Sequence, residues 1–149
     1  MEARQHVERC NAGQIAAILS ELTKVAQNDP GAYFARFSVP LGQRPWVELS
    51  LSPHGVGGLL NMFYPFREPP IERLHQAGLE PLPGMSGGSL FPQACCMLFF
   101  TPVASSDLAK FVDNIFVRLF GCQAEQYSVD VDVEVRPVAA SKRRAPERP

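Results

Sequence analysis

This chain has no clustered positive charge in its body, no cysteines at metal-binding or redox spacing, and no apolar run long enough to cross a bilayer. Its 14 Lys and Arg stand against 15 Asp and Glu, for a net charge of -1. That balance is uneven. Lys142, Arg143, Arg144 and Arg148 against Glu147 give Ser141 to Pro149 a charge of +3, which leaves -4 on the remaining 140 residues. A mildly acidic body argues against nucleic acid as a partner, because phosphate neutralisation needs Lys and Arg clustered on the folded surface.

Cys10, Cys95, Cys96 and Cys122 show no C-x-x-C pair, and the start of the chain is polar and charged, without a secretory apolar region. With no membrane span either, the expectation is a reduced, cytoplasmic protein with no membrane partner. Cys95 and Cys96 fall on opposite faces of one strand and read as small core residues. Cys10, ahead of the first helix, is expected to be exposed, with only His6 and Arg9 nearby to activate its thiol. His6, His54 and His75 are scattered, with no ligand-spaced partner, so no metal and no cofactor is expected.

What is present fits a folded domain: 149 residues, 46% of them hydrophobic and 19% charged. One α+β domain is expected over residues 1–137, with 138–149 as a disordered basic tail. The clearest patterns lie near its end. Leu108, Phe111, Val112, Ile115, Phe116, Leu119 and Phe120 repeat at helical spacing up to Gly121. Then Tyr127, Val129, Val131, Val133 and Val135 alternate with Ser128, Asp130, Asp132, Glu134 and Arg136. Two elements with one apolar face each must share a core. On the other face of the strand, Asp130, Asp132 and Glu134 read as solvated charges rather than cation ligands, since no glycine-containing calcium loop surrounds them.

Earlier, Asn11 is placed to cap a helix carrying Ile15, Ile18, Leu19, Leu22 and Val25 or Ala26, ended by Asn28 to Gly31. Tyr33 to Val39 and Trp46 to Ser52 alternate as a hairpin, and Gly58 to Tyr64 reads as a third strand. Pro70 starts a short helix that stops at Gly78. Pro81 to Pro92, rich in glycine, proline and serine, reads as loop, and Ala94 to Phe100 as a buried strand. The predicted order is α-β-β-β-α-β-α-β, with an antiparallel sheet of about five strands and no internal repeat.

Gly84-Met85-Ser86-Gly87-Gly88 fits the G-x-S-x-G pattern of a hydrolase nucleophile. That chemistry needs a strand-to-helix turn and a histidine later in the chain, whereas every histidine precedes Ser86, so the match reads as spurious and the chain as no enzyme. The segment also lacks the Lys and Ser/Thr of a phosphate-cradling loop. The surplus of large apolar groups is more telling: Met62, Phe63, Tyr64 and Phe66 surround Pro65, and Trp46 falls on the polar side of its strand. Either they mark a partner surface or the sheet is covered on both faces. The candidate partner-binding residues are therefore Trp46, Met62, Phe63, Tyr64 and Phe66, with the first helix face as a second surface.

From about residue 14 to 135 the order of elements resembles the type III secretion chaperone-like superfamily, including its YbjN-like bacterial cytoplasmic members. The likeness is carried by Arg73-Leu74 and Gly78-Leu79-Glu80-Pro81 within Ile71 to Pro83, then the strand Ala94 to Phe100 and the helix Asp107 to Phe120 with Gly121. Secretion chaperones place two strands between their last two helices; here only Ala94 to Phe100 is legible, and a strand follows the last helix. The resemblance implies a homodimer that holds a polypeptide client against apolar surfaces and has no catalytic residue. The competing expectation is a small-molecule site or hydrolase at Pro81 to Pro92, using Ser86, His54 or His75.

Overall fold

The computed structural model describes residues 2–27, 32–40, 42, 44–52, 55–91 and 94–136. Seven strands and three helices follow one another as β1 (Glu2–Val7), α1 (Ala12–Gln27), β2 (Ala32–Ser38), β3 (Trp46–Ser52), β4 (Gly55–Phe63), α2 (Pro70–Gln76), β5 (Ser86–Phe91), β6 (Cys95–Phe99), α3 (Ser105–Asn114) and β7 (Val129–Arg136). A π turn over Ile115–Leu119 extends α3. The fold is α+β, as expected, and every strand pairs antiparallel, in the order β1-β7-β2-β3-β4-β6-β5.

The sheet therefore has seven strands where about five were expected, and the two additions have physical causes. β1 was not predicted because only Val7 of its described side chains is buried; it pairs with β7 along its whole length, and across that pairing Arg4 Nε stands 2.7 Å from Asp132 and His6 Nδ1 2.6 Å from Asp130. β5 lies in the segment read as loop. Gly87 is a tertiary requirement, since a Cβ there would stand 2.4 Å from Leu98 Cδ2, a fully buried side chain on β6. Two strands, not one, thus separate α2 from α3.

Local chemistry sets the helix ends. Asn11 Oδ1 accepts from Gln14 N at 2.9 Å while Gln14 Oε1 accepts from Asn11 N at 3.1 Å, a reciprocal cap on α1. Pro70 occupies the first turn of α2, and Gly78, at φ +80, takes the left-handed conformation just beyond its end. The expected stop of α1 at Asn28 to Gly31 and the basic tail at 138–149 lie outside the described residues.

All three helices contribute to one core. Ile15 and Leu19 of α1, Leu74 of α2, and Leu108, Val112, Ile115 and Phe116 of α3 and its π turn are fully buried with Phe37, Val47, Leu49, Leu60, Cys96, Leu98 and Val129 of the sheet. Each such side chain contributes about 1.5–3 kcal/mol by leaving water. Among the described residues the opposite face of the sheet carries no helix. On it the register aligns Arg4, Asp132, Arg36 and Glu48 across β1, β7, β2 and β3. Cross-strand pairs of alternating sign let that half of an antiparallel sheet face water.

Candidate functional site

At one end of the sheet the chain forms a cavity of about 460 Å³, bounded by Val39, Pro45, Phe63, Phe120, Cys122 and Tyr127. Phe63 is the last residue of β4. Phe120 reaches the same place through the π turn: Phe120 N donates to Ile115 O at 3.1 Å and Cys122 N to Phe116 O at 2.9 Å. That wider turn leaves Phe116 and Leu119 in the core and Phe120 half-buried at the cavity wall. The rings of Phe63 and Phe120 stand 6.0 Å apart, and Phe66 stacks on Phe120 at 6.2 Å.

The rest of the site holds this aromatic group in place. Tyr64, 3% exposed, meets Phe66 edge to face at 5.2 Å, and its hydroxyl donates to Glu68 O. Burial pushes that hydroxyl up to about 12. The Arg73 guanidinium lies 4.6 Å from the Phe66 ring centre and covers its outer side. Gln123 and Gln126 supply polar groups of the cavity lining, which contains no charged side chain among the described residues. A neutral, aromatic-walled hollow of this size takes an apolar group and can orient an amide.

The five residues picked from sequence do not form one surface. Phe63 and Phe66 come together, half-buried, around the cavity. Met62 and Tyr64 face the core, at 0% and 3% exposure, because alternation along β4 turns them to the helix side. They shape the site from behind and offer no area of their own. Trp46 lies on the helix-free face, where the Arg36 guanidinium stands 4.1 Å from its ring centre. Beside it Glu48 is only 8% exposed, with Oε2 3.6 Å from Arg36 Nε and Oε1 3.4 Å from Asn61 Nδ2. Phe120, Cys122 and Tyr127 were missed as site residues. The helical stripe assigned Phe120 to the core, and nothing in its spacing announces the π turn.

The chemistry candidates are placed differently from expectation. Cys10 is fully buried rather than exposed, and burial pushes its thiol up to about 11. Cys96 is pushed up to about 12 by the same cause, and burial raises Cys122 as well, so these thiols hold their protons at neutral pH. Ser86 is the first residue of β5, not the apex of a strand-to-helix turn. His75 is exposed on α2, and His54 lies outside the described residues. His6 sits between two carboxylates, with Nδ1 2.6 Å from Asp130 and Nε2 2.8 Å from Glu8, and these hydrogen bonds, Asp130's first, raise its pKa.

Among the described residues, no group of three or more His, Cys, Asp or Glu could hold a metal ion, and no helix is long and apolar enough to cross a membrane. Comparison with known proteins finds no matching family model, no matching curated protein and no matching solved structure.

Proposed function

We propose that this chain is a non-catalytic, chaperone-like protein-binding module that pairs with its own copy in the cytoplasm and holds a polypeptide segment. The observation that carries this reading is the uncharged cavity walled by Phe63 and Phe120, which suits an apolar side chain of a partner and leaves Gln123 and Gln126 to meet its backbone. Two further facts support it. All four cysteines are free thiols, in keeping with a reduced compartment. Two strands lie between α2 and α3, the number that the resemblance implies, although β7 still follows the last helix.

The test is calorimetric titration with extended peptides carrying one central Phe or Leu, alongside the same peptides with Ala there. Binding should require the apolar residue and weaken at least tenfold in Phe63→Ser and Phe120→Ser chains that still melt cooperatively. Equal binding of the Ala peptides, or none at all, overturns the reading. A melting panel with nucleotides, acyl esters and metal ions separates the alternative, because a ligand specific for the folded state raises its melting point. The proposal expects no response there. A large rise with an acyl ester or nucleotide would place the chain among small-molecule binders or enzymes instead.

A further inference from the structure

The two outer edges of the sheet are built differently. β5, at one edge, shifts register against β6 between Gly87 and Leu90, an irregularity of the kind that keeps further strands from adding. β1, at the other, pairs with β7 in unbroken register from Glu2 to Val7 and contains no proline. Among the described residues no strand lies beyond it. Alternate residues of an outermost antiparallel strand turn both N–H and C=O outward, so β1 presents a row of backbone donors and acceptors to a further strand.

The side chains beside that row specify the strand that would meet it. On the helix-free face the register sets Glu48, Arg36, Asp132 and Arg4 side by side across β3, β2, β7 and β1, a ladder of alternating sign that stops at a cation. Arg4 donates to Asp132 from Nε at 2.7 Å and from Nη2 at 3.3 Å. Its side chain is 71% exposed, and Nη1 makes no hydrogen bond among the described residues. On the helix side, Gln5 of β1 and Ala17, Ile18, Glu21, Leu22 and Val25 of α1 bound a hollow of about 420 Å³, in which Val25 is 44% exposed.

We infer that β1 receives an extended acidic polypeptide segment as an added strand, with a carboxylate opposite Arg4 and apolar residues at the alternate positions that face α1. The inference rests on the reading above in taking a polypeptide as the partner, and it places that partner at an edge that shares no residue with the cavity. An added strand continues the charge ladder on one face and enters the hollow on the other, while its backbone bonds fix the register of both. A helix laid in the hollow would leave the outward amides of β1 unmet. A second copy of β1 is opposed by charge. Laid antiparallel with both helix layers on one side, its two longest registers set Arg4 against the other copy's Arg4 or the other copy's His6, and like charges directly opposite are destabilising.

Calorimetric titration read together with amide hydrogen exchange tests this with three probes. The first is a peptide of alternating Glu and Val, the second replaces its Glu by Lys, and the third is the Glu and Val peptide N-methylated along its backbone, which keeps the charges and removes the donors. The first should bind at least tenfold more tightly than either of the others and should protect β1 amides from exchange. Arg4→Glu should reverse the preference between the two charged peptides. The exchange result on the unaltered chain decides the matter even if Arg4→Glu loses β1. Equal binding of the Lys or N-methylated peptide, protection centred on another strand, or no binding of the Glu and Val peptide overturns the inference. Protection of β1 that rises with protein concentration in the absence of peptide would put a second copy on this edge and overturn it too. The cavity reading fails separately, when peptides with a central Phe do not bind and the Glu and Val peptide does.

Discussion

The hydroxyl of Tyr127 donates to Asp113 Oδ1 at 2.6 Å, tying the approach to β7 to α3. The same residue accepts from Cys10 N through its carbonyl at 2.7 Å, so one tyrosine joins three segments distant in sequence. Burial first, and then the bond to Asp113, raise the phenol's pKa. Tyr127→Phe keeps the ring against Phe116, whose centroid is 5.5 Å away, and removes only the hydroxyl. A hydrogen bond to a charged acceptor is worth about 1.5–3 kcal/mol, so the unfolding free energy should fall by that amount, read as a lower urea midpoint at an unchanged m-value. A loss below about 0.5 kcal/mol would show that water replaces the bond at no cost.

Phe120 serves the cavity more than the core. Full removal of a buried Phe costs about 3–5 kcal/mol, and Phe120 is half-buried, so Phe120→Ala should cost about 1.5–2.5 kcal/mol. Met62→Ala, at a fully buried position, should cost about 2–5 kcal/mol. Fluorescence of an apolar dye should fall in the first variant at native temperature and not in the second. The reverse pattern would mean that the cavity is not the binding surface.

His6 makes stability depend on pH with a definite sign. Its partners Asp130 and Glu8 raise its folded pKa above the ordinary 6.5, so the protonated form binds more strongly in the folded chain. The contribution is fully present below 6.5 and is lost as pH rises through the higher folded value. His6→Gln should flatten this part of the melting profile, and the protection of β1 amides, taken relative to their intrinsic base-catalysed exchange, should fall with rising pH in the unaltered chain alone. An identical profile in both chains would exclude His6 as its source.

Gly84 is required by the backbone and Ser86 is not. Gly84 has φ +68, and a Cβ there would stand 2.5 Å from Thr101 Oγ1, whose own backbone N donates to Pro83 O at 2.9 Å. Gly84→Ala should cost about 1–3 kcal/mol from left-handed strain and the close approach. Ser86→Ala, at an exposed position, should stay within about 0.5 kcal/mol and abolish no ester hydrolysis. Loss of an esterase activity in Ser86→Ala would make the G-x-S-x-G pattern a working nucleophile site.

Periodicity by itself determined α1, α3, β2, β3 and β7, because each buries one face strongly enough for its spacing to stand out, while apolar runs bounded by proline and glycine marked β4, α2 and β6. The Asn11 cap and the Pro70 start were legible for the same local reason: their partners lie within a turn. Tertiary structure alone decided the remainder. β1 exists through its pairing with β7, more than a hundred residues away, across which Arg4 and His6 meet Asp132 and Asp130, and β5 through the room that Gly87 leaves for Leu98. Phe63 and Phe120 became a site through a π turn, whose register depends on packing. The order in which the strands lie side by side is likewise encoded by no local pattern, because the side-chain period of two is the same whichever strand lies next to it.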